Sequence, residues 1–299
     1  MASFGRVHES FAWILRNILQ GSRSFVERYD AGVGQWKTGE TMLIQQEKGK
    51  AFRALHRPGT PLVLFNAWDP GSAKAIAAAG ARAIATSSWA VAVAHGFKDG
   101  EELPFHLALD NAVRIVRSTE LPVSMDLESG YGATPSDVGA TIEAAIDAGV
   151  IGCNLEDSFP SDGRLRPVED QIARLRAARA SAARTGLEFH INARTDIFLI
   201  APKDTHNRSM VAQAVQRAKA YAQAGSDSFF APGLSNLELL AELCEQSPLP
   251  VNVMVADPAV NLAALARAKV ARISFGANPY RIATKGLEDL ARSVFQGTA

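Results

Sequence analysis

Three short apolar segments carry polar residues at every second position, and the residue types are those of acid and anion chemistry. Ser124, Asp126 and Glu128 alternate with Val123, Met125 and Leu127; Asn154 and Glu156 alternate with Cys153 and Leu155; His190, Asn192 and Arg194 alternate with Ile191 and Ala193. In extended backbone, successive side chains point to opposite faces, so each polar set shares one face. If those faces line one cavity, Asp126, Glu128 and Glu156 converge. Three ionised carboxylates in a partly dry pocket repel one another and need a countercharge. A hard divalent cation supplies it: Mg²⁺, or Mn²⁺ in its place, takes a few carboxylates and keeps several waters, without a cysteine or histidine cluster. Arg194 adds a planar cationic fork suited to a carboxylate or phosphonate. The same residues also suit a purely structural ion-pair network in which Arg194 only neutralises Glu156.

The elements that must position these residues follow one rhythm. From residue 61 onward, a short apolar or β-branched run, a polar turn and a longer stretch of helical periodicity recur eight times. Strands are expected at 62–66, 82–87, 123–128, 151–156, 189–194, 227–231, 251–255 and 272–276, with helices at 72–79, 105–118, 136–148, 168–185, 208–224, 236–245, 258–268 and 279–295. Gly80, Gly149 and Gly225 follow alanine where helices end, and Pro122 and Pro250 open strands where a missing N–H is tolerated. Regular alternation calls for parallel strands covered by helices, and eight units favour a closed (β/α)₈ TIM barrel over an open sheet with edges to protect. In such a barrel chemistry sits at the C-terminal strand ends, where the polar sets of strands three, four and five fall. The barrel is expected over residues 51–299. Residues 1–50 read as an N-terminal extension, helical at 43–55 and otherwise partly disordered.

Composition narrows the function classes. Of 299 residues, Lys plus Arg and Asp plus Glu each number 31, so no basic excess points to a nucleic acid. No apolar run approaches the roughly 18 residues of a membrane span. Cys153 and Cys244 sit in apolar segments rather than in a CxxC pair, which argues against a disulfide framework or structural zinc and suits a reducing cytoplasm. His95, His106 and His190 stay open between proton transfer and structure.

At these residues the chain resembles the isocitrate lyase/phosphoenolpyruvate mutase superfamily, which includes carboxyvinyl-carboxyphosphonate phosphorylmutase and methylisocitrate lyase-like enzymes. Residues 124–132, SMDLESGYG, resemble its strand-three metal motif D-x-D-x-G-[FY]-G, with Glu128 in place of the second Asp. Residues 154–158, NLEDS, resemble its N-x-E-D element, and 192–196, NARTD, its A-R-T-[DE] element. The resemblance implies Asp126, Glu128 and Glu156 as metal acids, with Glu156 also catalytic through metal-bound water. It implies Arg194 as both a catalytic and a substrate-binding residue. Ser87, Ser88 and Trp89 stand where the superfamily grips a substrate carboxylate, Asp99 matches a catalytic acid in the next loop, and Asn252 is expected to reach the pocket from strand seven. A homo-oligomer, dimer or tetramer, built on the last helix is implied as well.

The implied chemistry is Mg²⁺-assisted cleavage of a C–C or P–C bond to C3 of a 2-oxo acid through a stabilised enolate. The lyases carry K-[KR]-C-G-H in the loop after strand four, and the mutases carry E-D-K followed by K-x-N-S. Here residues 156–167 read EDSFPSDGRLRP and match neither. Cleavage without a loop cysteine, such as decarboxylation or hydrolysis of an oxaloacetate-like dicarboxylate, therefore ranks first. A phosphonopyruvate-type mutase or hydrolase and a catalytically silent metabolite-binding barrel are the alternatives.

Overall fold

A computed structural model of the chain describes residues 39–257 and 259–297. The expected extension over residues 1–50 lies mostly outside them, and its described part is helix α1, Gly39–Ala54. Nine strand segments follow: β1 Leu62–Leu64, β2 Asn66–Ala67, β3 Ile84–Thr86, β4 Val123–Asp126, β5 Gly152–Glu156, β6 His190–Arg194, β7 Ser228–Phe230, β8 Val251–Met254 and β9 Arg272–Ser274. All neighbours pair in parallel, in the order β1-β9-β8-β7-β6-β5-β4-β3-β2. β1 and β2 are two halves of one strand interrupted at Phe65: Leu62 pairs with Arg272 of β9, and Asn66 with Ala85 of β3. The ring thus joins through this one strand, and the architecture is the expected (β/α)₈ barrel.

The helices are α2 Pro70–Ala78, α3 Ser88–Ala94, α4 Phe105–Arg117, α5 Pro135–Asp147, α6 Val168–Thr185, α7 Ile197–Ile200, α8 Arg208–Gln223, α9 Leu237–Gln246, α10 Leu262–Arg267 and α11 Asn278–Gly297. α2 starts two residues before its expected position because Asp69 and Ser72 form a reciprocal capping box around Pro70. α10 starts later than expected because Asn261 caps its first turn. Two short helices were not anticipated. One of them, α3, begins where Ser87 supplies the cap, and this changes the site described below.

The barrel floor is apolar and its interior above is polar. Phe52 of α1 packs with Leu62, Leu64, Ala83, Ala85 and Ile151, all buried. Gly152 keeps that junction open, since a Cβ there would lie 2.8 Å from the His190 carbonyl oxygen. Above it runs a hydrogen-bonded column through the middle of the barrel. Asn154 Nδ2 donates to Asp126 Oδ1 at 3.2 Å, Asn192 Nδ2 to Asn154 Oδ1 at 2.9 Å, and the Ser228 hydroxyl to Asn192 Oδ1 at 2.6 Å. Because the only proton of Ser228 is used there, His190 Nε2 must donate to Ser228 Oγ across their 2.8 Å contact. Arg272, fully buried, adds a bond from Nη2 to Asn154 Oδ1 at 3.1 Å.

Among the described residues, few side chains of the last helix are buried. Pro279 is its buried residue, whereas Ile282, Leu287, Leu290, Val294 and Phe295 are exposed. On the barrel flank, β1 and α2 border an apolar groove of about 550 Å³ whose walls include Val63, Phe65 and Ile76.

Candidate active site

The polar ends of β4, β5 and β6 meet as the alternation requires: Asp126 is in register with Asn154, and Glu156 with Arg194. Asp126 lies at the end of β4 with both oxygens engaged. Oδ2 accepts from the Ser88 amide at 3.1 Å and the Ser88 hydroxyl at 3.0 Å, and Oδ1 accepts only from Asn154. A carboxylate offers about four lone-pair positions, so one on Oδ1 stays open. Asp99 keeps an outer face in solvent, but crowding around its carboxyl and the charge of Asp126 push its pKa up, with the nearby Ser88 and Arg194 opposing.

Arg194 is held on two sides. Nε and Nη2 grip Asp196 at 2.6 and 3.0 Å, and Nη1 contacts Glu156 at 2.6 Å. Two of its five N–H groups are thus donated to Asp196 and Nη1 is paired with Glu156 by charge, leaving at least one N–H on each Nη. Burial works to lower its pKa, while Glu156, Asp196 and Asp126 overcome this and raise it. Asp196 is fixed in turn. Its carboxylate accepts from the Ser158 hydroxyl at 2.8 Å, and its amide donates to Asp157 at 3.0 Å. Asp157, fully buried, is itself held by Arg217 at 2.9 Å and the Tyr221 hydroxyl at 2.7 Å. Burial pushes Glu156 upward, opposed by Arg194 and reinforced by Asp196, Asp126 and Glu128. Glu128 rises to about 7, first through burial and then through Asp99.

A family model described as phosphoenolpyruvate phosphomutase matches residues 52–295. The chain belongs to this family. It is an enzyme of the isocitrate lyase/phosphoenolpyruvate mutase superfamily. An uncharacterized protein of Mycobacterium tuberculosis is 32% identical over 252 residues, covering 83% of this chain and 90% of its own length. The 2-methylisocitrate lyase of Escherichia coli is 28% identical over 211 residues, covering 68% of each chain. Among solved structures, a Burkholderia cenocepacia J2315 protein provisionally named a phosphonomutase is 52% identical with a TM-score of 0.81, covering 83% of this chain and 99% of its own. A phosphonopyruvate hydrolase bound to oxalate and Mg²⁺ shares the fold, with 23% identity, a TM-score of 0.72 and coverage of 84% and 88%.

The residues of this family's motifs occupy distinct places around this end of the barrel. Among the described residues no three Asp, Glu, His or Cys side chains stand where they could ligate one ion together. Asp126, Glu128 and Glu156 share one electrostatic neighbourhood but form no cage, because Glu156 faces Arg194 and Glu128 turns away toward residues 100 and 101. The Ser87-Ser88-Trp89 segment leads from β3 straight into a helix. It is the cap and first turn of α3, where the Ser87 hydroxyl takes the Ala90 amide and Asp126 takes that of Ser88. Trp89 instead turns its ring toward α11, with the Arg281 guanidinium 4.5 Å from the ring centre. Asn252 is fully buried with Nδ2 unpartnered, placing it in the barrel interior next to Phe230 rather than on an open wall.

The loop after β5 is a small hairpin. Ser158 and Leu165 pair antiparallel, and Phe159 and Gly163 amides close it onto Arg164 and Phe159 carbonyls at 2.8 Å each. Cys153 is fully buried and has its thiol pKa raised by burial, so it packs rather than reacts. Asp196 and Asn154, the supports of Arg194 and Asp126, lie inside the NARTD and NLEDS motifs, which mark their positions but not these roles. Arg272 and the amides of Gly100 and Glu101 lie in neither motif.

Proposed function

We propose that this enzyme is a Mg²⁺-dependent lyase, decarboxylase or hydrolase cleaving a C–C bond in a small 2-oxo or 2-hydroxy dicarboxylate. The observation that carries the reading is Arg194, immobilised by Asp196 and Glu156 with two N–H groups to spare, beside Asp126 with an open lone pair. Those two groups suit one carboxylate of the substrate and, in the transition state, developing oxyanion charge. Four acids, Asp99, Asp126, Glu128 and Glu156, crowd this end of the barrel, and burial and mutual repulsion raise three of them. A divalent cation would relieve that repulsion, and a donor set of oxygens alone suits Mg²⁺. Asp126 would hold the ion, with Asp99 and Glu156 beside it. When bound, Mg²⁺ supplies Lewis-acid stabilisation of the same oxyanion charge. The hairpin at 158–165 offers no thiol as a proton donor, which favours decarboxylation or hydrolysis.

The 52% identity to a protein provisionally named a phosphonomutase supports a second reading, P–C cleavage or rearrangement of a phosphonopyruvate-type acid. A pyruvate- and acid-release screen over oxaloacetate, substituted malates, methylisocitrate and phosphonopyruvate, with and without Mg²⁺, separates them. Turnover of a dicarboxylate only with Mg²⁺ is expected. Turnover of phosphonopyruvate alone supports the second reading, and no turnover of any substrate supports a silent metabolite-binding barrel.

The same proposal includes a homo-oligomer. The apolar face of α11, with Ile282, Leu287 and Leu290 exposed, has the character of a helix that packs elsewhere, and the groove beside β1 is apolar. A second copy of α11 is the proposed occupant. A cytoplasmic location fits two free cysteines and the lack, among the described residues, of a helix able to cross a membrane.

A further inference from the structure

The loop between α3 and α4 and the loop after β4 hold each other by reciprocal carboxylates. Gly100 and Glu101 amides both donate to Glu128 Oε2, at 2.8 and 2.7 Å, and the Tyr131 hydroxyl donates to Oε1 at 2.9 Å. In return Glu101 Oε1 accepts from the Ser129 hydroxyl at 2.7 Å and the Tyr131 amide at 2.9 Å. Two successive N–H groups aimed at one anionic oxygen form a nest, which needs unusual backbone angles. Here φ is +95° at Gly100 and +61° at Glu101. A side chain at Gly100 is further opposed by the Pro160 carbonyl, 3.3 Å from where its Cβ would lie.

Glu128 and Tyr131 are also left-handed, with φ of +51° and +50°. Three of the four described non-glycine residues with positive φ therefore belong to this clasp. Such strain persists only where surrounding contacts over-determine it, and it collects at functional sites. The beneficiary is the residue that begins the clasped segment, Asp99, which stands beside Ser88 and Asp126.

We propose that Glu128 is a positioning residue: its carboxylate latches the 99–101 loop and so holds Asp99 at the active site, instead of ligating the metal. The inference rests on reading Asp99 and Asp126 as active-site acids. It accounts for the departure at position 128, where the family motif has Asp. An aspartate is shorter by one C–C bond, about 1.5 Å, and would leave both amides without their acceptor.

Hydrogen exchange at individual amides of the full chain tests this in wild type, Glu128→Gln and Glu128→Asp. Gln keeps an acceptor at the same reach, so Gly100 and Glu101 should stay protected to within about threefold. Asp should let both exchange at least about tenfold faster. The Ile191 amide, bonded to Asp227 at 2.8 Å in the barrel wall, reports whether the fold is intact. Mg²⁺ binding by calorimetry should follow the same order, with Gln binding the ion more tightly than Asp. Should Glu128→Asp fail to fold, Tyr131→Phe removes one support of the latch and should speed exchange at the same two amides. Unchanged exchange in the folded Asp variant, exchange faster in Gln than in Asp, or tighter Mg²⁺ binding by Asp than by Gln overturns the proposal. If Tyr131→Phe must stand in, unchanged exchange there does the same. The exchange readout needs no substrate, so it stands apart from the outcome of the turnover screen.

Discussion

His56 and His190 stack 4.0 Å apart inside the barrel, each with one ring nitrogen hydrogen-bonded and the other buried without a partner. Adding a proton to either would place a cation in a dry site already occupied by Arg272. Burial and the charge of Arg272 lower His56 to about 3 from an ordinary 6.5. Burial, then His56 and Arg272, lower His190 well below 6.5. Both rings are therefore neutral in the fold and take up protons only on unfolding. The stability this confers is complete above the unfolded value of 6.5 and is lost as pH falls from there toward about 3.

At about pH 5 each histidine lies roughly 1.5 pH units below its unfolded pKa, and at about 1.4 kcal/mol per unit the cost is about 2 kcal/mol each, about 4 for the pair. Glu128 acts with the opposite sign. Raised to about 7 from 4.5, it opposes folding at neutral pH and is relieved as pH falls. The raw acid sensitivity of the wild type thus understates the histidine contribution, and a comparison between variants isolates it. The variant His56→Gln/His190→Gln keeps donors toward Phe52 and Ser228 but cannot titrate. Urea unfolding at about pH 7.5 and about pH 5, at fixed protein concentration because oligomers shift with mass action, should show the wild type losing about 4 kcal/mol more than the variant. A difference near 2 kcal/mol would show that one ring is protonated in the fold and parallel losses, agreeing within about 1 kcal/mol, that both are; either result would make the neutral-pair reasoning wrong.

Three further outcomes are expected. Asp126→Asn should weaken Mg²⁺ binding at least about tenfold in calorimetry, with turnover falling alongside; unchanged affinity would place the ion elsewhere. Arg194→Lys should leave Mg²⁺ affinity within about threefold while raising KM at least about tenfold, because one ammonium cannot hold Asp196 and Glu156 and still offer a fork to substrate; an unchanged KM would reduce Arg194 to a structural ion pair. Leu287→Glu/Leu290→Glu should convert an oligomer to a monomer by light scattering at micromolar concentration, and a wild type already monomeric there would refute the proposed exchange of α11.

The barrel was legible because its strands are short period-two runs bracketed by Pro, Gly and polar turns, and its helices carry their caps in the sequence. α3 was not. In SSWAVAVA the alternation of alanine and valine continues the strand pattern, and nothing local distinguishes a serine that caps a helix from a serine that ends a strand. The acids and Arg194 were legible as inward-facing residues, but their partners depended on angles that side-chain types do not encode. Glu128 turns to the neighbouring loop because its backbone is left-handed. Arg272 sits alone in the apolar run VARISF, where a single charge reads as a strand-edge residue until closure of the barrel buries it.

That buried arginine explains why position 126 is an acid irrespective of any ion. Asn154 Oδ1 accepts from both Asn192 Nδ2 and Arg272 Nη2, so its amide group cannot turn over, and its Nδ2 is committed toward Asp126. On the other side Ser88 presents an amide that can only donate. Donors approach position 126 from both sides, and only a carboxylate accepts with both of its oxygens. An asparagine there must set its NH₂ against one of them, leaving a donor unsatisfied at a cost of about 1–3 kcal/mol. Asp126→Asn should therefore lose stability as well as Mg²⁺ affinity, and the two effects separate in the double variant with Arg272→Met. Without Arg272, Asn154 is freer to reorient and present its oxygen. The stability cost of Asp126→Asn measured in that background should then shrink, while the weakened Mg²⁺ binding persists. An undiminished cost in the double-mutant cycle would break the link between the barrel core and the site.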